Sequence, residues 1–166
     1  SSPRSAMKSG IGLVARDRVV ESIAPALSIR ENAYINPEAT GRTLLSFMTS
    51  GKEDRLTSKL GESLGLSPND PTLAIEALSG GNQQKVVVGR WLATNRRLMI
   101  AEDPTAGVDV GAKAEIYALL FEALSTGMGG VVVSTDFEEV AAICYRAIVF
   151  SRGQVVGELS GVALST

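Results

Sequence analysis

Apolar runs of strand length alternate along this chain with stretches of helical periodicity, and that alternation constrains its fold more than any other feature. Ile11–Ala15 follows Gly10, Leu98–Ala101 ends in two carboxylates, and Val131–Ser134 follows Gly129-Gly130; each reads as a strand. Between them, Asn82–Ala93 carries Val86, Val87, Trp91 and Leu92, and Val110–Ser125 places Ile116, Leu119, Leu120, Ala123 and Leu124 on one helical face. Strands separated by helices predict an α/β fold with a mostly parallel sheet. Ala147–Phe150 and Gln154–Glu158 flank Ser151-Arg152-Gly153 and predict a terminal hairpin. Ser28 with Glu31, and Asp136 with Glu139, have the spacing of capping boxes, so helices are predicted to begin there.

At 166 residues the chain is long enough for one domain with a small insertion. The block 36–71 is richer in polar residues and turn formers, with a helical stretch near Lys52–Leu64. It reads as a helical subdomain, 29–76, set between two parts of one unit, 1–28 and 77–166.

Composition narrows the chemistry. There is no histidine, which removes Ser-His-Asp and Cys-His catalysis and any imidazole acid-base step. A net charge of -2 and 5% aromatics leave neither an electrostatic footprint nor stacking platforms for nucleic acid. The single Cys144 rules out an intramolecular disulfide, fits a reducing compartment and reads as a small core thiol. No apolar run reaches membrane-span length, and the polar opening Ser1–Ser9 carries no leader-like core, so the expectation is a cytosolic chain. Arg96-Arg97 reads as a solvated loop.

Two segments carry chemistry. Leu78-Ser79-Gly80-Gly81-Asn82-Gln83-Gln84-Lys85 sets a hydroxyl and two glycines ahead of a helix, an arrangement that points amides and the positive end of the helix dipole at an anion. Taken alone, the triplet reads more readily as a glycine-rich helix start with a serine cap; its extension through Gln84 and the motifs that follow reverse that preference. Leu98–Ala101 delivers Glu102 and Asp103 to a strand end before Pro104-Thr105.

The run Leu78–Lys85, together with Gly107-Val108-Asp109-Val110-Gly111-Ala112-Lys113, resembles ATP-binding cassette proteins, and most closely the two-cassette ATPase subunits of bacterial sugar importers. The resemblance covers almost the whole chain and aligns it with a second cassette. It implies a RecA-like P-loop NTPase core (1–28 and 77–166) with an inserted signature subdomain (29–76) that docks on a transmembrane sugar permease. It further implies a signature motif in which Ser79, Gly80, Gly81 and Gln83 face ATP held by a partner cassette. Glu102 takes the place of the acid that orients Mg²⁺, Asp103 that of the water-positioning acid, Arg16 that of the Q-loop glutamine, Thr135 that of the switch histidine and Asp109 that of the D-loop aspartate. Several of these positions depart from the family. The acids stand in the order Glu-Asp rather than Asp-Glu, and Asp103 is shorter by one methylene, about 1.5 Å, enough to slow hydrolysis by roughly 10²-fold. Thr135 is no proton acceptor near neutral pH. No G-x-x-x-x-G-K-[ST] loop occurs in the 166 residues.

The expectation is therefore a cassette portion that supplies its signature to another cassette, with its own site slow or inactive. It would lie on the cytoplasmic side of the membrane through the permease. By itself the chain is expected neither to hydrolyse ATP nor to bind it tightly, and to self-associate. A non-catalytic, nucleotide-sensing or structural module that completes a dimer remains the alternative. A DNA-repair cassette is disfavoured, because the middle block lacks heptads and the chain is acidic.

Overall fold

Three parallel strands, β1 (Ile11–Val14), β2 (Leu98–Glu102) and β3 (Gly129–Val133), lie side by side in that order. The structure, a computed structural model, describes residues 2–36, 48–94 and 96–161. Residues 37–47 of the predicted helical subdomain lie outside the described residues. Ile11 pairs with Leu98, and Leu98 with Gly129. Parallel neighbours need crossovers. Between β1 and β2 the chain makes α2 (Ile29–Ala33), α3 (Ser50–Leu64) and α4 (Gly80–Leu92); between β2 and β3 it makes α5 (Val110–Ser125). A short α1 (Pro3–Lys8) precedes β1 and α6 (Phe137–Ile143) follows β3. The hairpin forms as predicted from β4 (Arg146–Ser151) and β5 (Gln154–Ser160), joined by Arg152 and Gly153, both at positive φ, as a two-residue turn between twisted strands requires.

The core lies on one face of the sheet. Val14, Met99 and Ala101 are buried there under Val86, Val87 and Trp91 of α4 and Ile116 and Leu120 of α5. Gly12 makes this close approach possible: a β-carbon on it would stand 3.2 Å from the Trp91 ring and 3.3 Å from the Met99 sulfur. Beside the sheet, α3 crosses α4 at Gly89, where a β-carbon would fall 2.3 Å from Leu64. Arg30 bonds Asp54 at 2.8 Å to join α2 to α3. Buried Asn32 donates to Ala24, Leu27 and Ser28 carbonyls and accepts from the Ala24 amide, fixing the entry to α2.

Four expectations need correction. The helix predicted from Asn82 begins at Gly80, because Ser79 caps it. Strand β3 begins two residues earlier than predicted; Val131 and Val133, on the face opposite α5, are 47% and 54% exposed. The Ser28–Glu31 capping box closes in both directions, but the Asp136–Glu139 box closes in one only. Asp136 accepts from the Glu138 and Glu139 amides, whereas the Glu139 carboxylate turns into the core. Arg96, read as solvated, donates to the Met7 carbonyl at 2.8 Å and ties α1 to the loop before β2.

Candidate functional site

Parallel α/β sheets place their sites beyond the carboxyl ends of the strands, and two clusters of the predicted residues gather there. The first is the start of α4. Ser79, in an extended conformation, is the N-cap; its Oγ accepts from the Asn82 amide at 3.4 Å and from Asn82 Nδ2 at 3.0 Å. The first-turn amides of Gly80 and Gly81 have no acceptor within the helix by its geometry, so the turn presents donors at the positive end of a 13-residue dipole. Packing requires glycine at Gly81, whereas a side chain at Gly80 would first meet the movable end of Arg18. A β-carbon on Gly80 would stand 2.5 Å from Arg18 Nη2, and one on Gly81 would stand 2.5 Å from the Ala112 β-carbon. Asp109 caps α5 by accepting from the Ala112 amide at 3.0 Å, and its Oδ2 lies 3.8 Å from that same position over Gly81. Ser79, Gly80, Gly81 and Asp109 are therefore brought together.

Gln83 turns inward. Its Nε2 donates to the Leu78 carbonyl at 3.1 Å and its Oε1 accepts from Arg18 Nε at 3.3 Å. Arg18 also donates through Nη1 to the Ala106 carbonyl at 3.1 Å, so one guanidinium clamps the start of α4 to the loop after β2. Buried Gln84 adds a second clamp, donating to the Pro104 carbonyl at 2.8 Å. Lys85 donates to the Gly65 carbonyl at 3.0 Å and pairs with Glu115. Nothing in the local sequence marked the clamping roles of Arg18 and Gln84, because the carbonyls they reach lie 88 and 20 positions away.

The second cluster joins Arg16, Asp103 and Thr135, from the ends of β1, β2 and β3. Asp103 sits in the left-handed region at φ 40 and extends the ladder by donating its amide to the Val133 carbonyl at 2.8 Å. Its Oδ2 is 3.1 Å from Arg16 Nε, and its Oδ1 accepts from the Thr135 amide at 3.3 Å. What the structure gives Thr135 at this site is a backbone contact. Glu102 falls on the same strand face as Ile100. Among the described residues no three acidic or cysteine side chains gather to hold a metal ion. With Asp103 already ion-paired, the Glu102–Asp103 pair does not fit a divalent cation.

Beneath this edge lies an unpredicted buried cluster. Glu139 accepts from Thr105 Oγ1 at 2.5 Å and from the Tyr117 hydroxyl at 3.3 Å, both side chains reaching it from the β2–α5 segment. Burial first, and the Glu139 charge in addition, raises the Tyr117 hydroxyl above its ordinary value. Burial first, and the Glu139 charge in addition, raises the half-buried Cys144 thiol above its ordinary value. At the α6 start, the Glu139 and Glu138 amides hold Asp136 below its ordinary value, and Lys113 Nζ stands 3.5 Å from it.

Known proteins resemble this chain in sequence and in fold. A family profile described as ABC transporter matches residues 2–106. The chain is 40% identical over 162 residues to a ribose import ATP-binding protein of Burkholderia mallei, covering 98% of this chain and 32% of that one. It is 39% identical over 158 residues to an arabinose import ATP-binding protein of Vibrio parahaemolyticus, covering 95% and 31%. It thus spans about a third of the length of these relatives. A dimeric bacterial ABC transporter cassette superposes with a TM-score of 0.75 at 25% identity, over 94% of this chain and 65% of that chain. A nucleotide-free cassette from an ABC transporter gives 0.79 at 22% identity, over 99% and 66%. No helix among the described residues is long and apolar enough to cross a membrane. With a matching profile over most of its length and the architecture of such cassettes, the chain belongs to the ABC transporter family.

Proposed function

We propose that the chain is the signature-bearing portion of a nucleotide-binding cassette in a bacterial carbohydrate importer, the second of two, and that it serves ATP bound by the first. On this reading 1–28 and 77–166 form the RecA-like part, and 29–76 faces a transmembrane permease on the cytoplasmic side. The observation that carries the proposal is the Ser79-Gly80-Gly81 turn at the head of α4, with Ser79 exposed, Gly80 half-buried and Gly81 buried, held there by Arg18 and by the Asp109–Ala112 turn. The Ser79 hydroxyl and the Gly80 and Gly81 amides would hold the terminal phosphate, since developing negative charge is best met by fixed donors that need no reorganisation. ATP bound there supplies the phosphoryl group whose hydrolysis drives transport, with Mg²⁺ arriving on the nucleotide. Gln83 and Asp109 act behind the turn rather than on the ligand, one fixing Arg18 and the other capping α5. The chain's own strand-end acids work poorly, because Asp103 is occupied by Arg16 and Thr135 offers no proton acceptor. That ion pair also favours a second reading, a cassette that completes a dimer without catalysing at its own site.

ATPase activity of the full-length transporter tests the assignment. Ser79→Asp keeps a good N-cap but sets a carboxylate where the phosphate would sit. It should lower activity at least tenfold, while Asp103→Asn stays within about twofold. Equal damage from the two would refute the asymmetric site, and harmless Ser79→Asp would refute the signature role.

A further inference from the structure

A cavity of about 400 Å³ opens between α2, α3 and the end of α4. Arg90 lines it and is only 7% exposed. Its Nη1 donates to the Ser22 carbonyl at 2.6 Å, while its Nε is buried with no hydrogen-bond partner. The guanidinium carbon stands 5.9 Å from the centre of the Trp91 ring, and among the described residues no carboxylate pairs with Arg90. Burial pushes the guanidinium down to about 10, so its charge persists at neutral pH. A buried charge left unpaired is costly, and a buried donor without a partner points to a group that supplies one. We propose that this cavity is a binding site for a small organic carboxylate, with Arg90 holding the carboxylate and the apolar walls of α2 and α3 covering the rest of the molecule. The proposal goes beyond the transport reading and does not depend on it.

The rest of the lining narrows the class of molecule. Ser63 and Thr94 face the cavity too, but each hydroxyl already donates three residues back, to the Leu60 carbonyl at 2.8 Å and to the Trp91 carbonyl at 2.7 Å. The cationic donors left open are Arg90 Nε and the ammonium of exposed Lys59, which forms no ion pair among the described residues. Two cationic donors suit the two oxygens of a carboxylate, whereas a phosphate brings more acceptor oxygens than they can meet. Ala33, Leu56, Leu60 and Ala93 supply hydrocarbon, which favours a short alkyl or aryl body over a bare inorganic ion. The volume is that of a small-molecule pocket.

Trp91 is the sole tryptophan of the chain and adjoins Arg90, so its fluorescence reports on the site. Hexanoate titrated into the full chain at constant ionic strength should give a saturable change, with half-saturation below about 10 mM. Arg90→Gln, which keeps a neutral donor for the Ser22 carbonyl, should raise the half-saturation concentration by about tenfold or more. Lys59→Gln, at an exposed position of α3, should raise it by about threefold, and serves if Arg90→Gln does not fold. Hexanol and inorganic phosphate at the same concentrations should leave the signal unchanged. No saturable response in the wild type, a response to hexanol or phosphate as strong as that to hexanoate, or unchanged hexanoate affinity in the folded variants overturns the proposal. Tighter binding of a terminally blocked glutamate peptide than of hexanoate overturns it in favour of a partner protein's side chain. Failure of the transport reading would appear in the ATPase comparison and leave this titration unchanged.

Discussion

Gly81 lies against Ala112 so closely that a β-carbon on the glycine would stand 2.5 Å from the alanine's. This contact fixes the start of α4 on the start of α5. Both atoms are set by helix backbones, so neither can rotate away. Gly81→Ala should destabilise the chain by about 1–3 kcal/mol despite the better helix propensity of alanine. Urea unfolding measures the loss, and Ala112→Gly in the same chain should restore most of it. No recovery in the double variant would remove the contact as the cause.

Glu139 is a buried acceptor for two hydroxyls. Glu139→Ala leaves Thr105 and Tyr117 without it and should lose about 2–3 kcal/mol. Glu139→Gln keeps an acceptor oxygen and should stay within about 1 kcal/mol of the wild type. Chemical denaturation at neutral pH separates the two.

Asp136 is held below its ordinary value of 3.8 chiefly by the Glu139 amide. A depressed carboxyl contributes stability that is present above its unfolded value and disappears as pH falls through the folded one. Thermal melting of the wild type should therefore steepen below about pH 4. Asp136→Asn, which caps without titrating, should show a shallower acid limb.

Leu13, Val131 and Val133 share the sheet face opposite α4 and α5, at 46%, 47% and 54% exposure. Parallel sheets are ordinarily covered on both faces. At micromolar concentration the 166-residue chain should self-associate, and Val131→Lys should shift it toward monomer. Light scattering decides, since a clean 17.4 kDa species in the wild type would contradict the expectation.

The local chemistry of the chain was legible residue by residue. Apolar runs bounded by glycine marked the strands, the Ser28–Glu31 spacing marked a helix start that closes as expected, and Arg152-Gly153 marked the hairpin turn. The Ser79-Gly80-Gly81 turn was likewise visible, because a cap and two glycines before a helix form a local pattern. These features depend on residues within a few positions of one another, and the physics of capping and turn geometry acts over that range.

Burial and pairing were decided elsewhere. Val131 and Val133 lie on an open face, because which side of a sheet is covered depends on where α4 and α5 pack. Glu139 has capping-box spacing yet turns inward, because Thr105 and Tyr117 offer it hydroxyls from 34 and 22 positions away. The sequence by itself determined an α/β chain with a phosphate-suited helix start and an acidic strand end. Only the tertiary structure set Arg16 on Asp103, since that ion pair exists because parallel pairing brings the ends of β1 and β2 side by side.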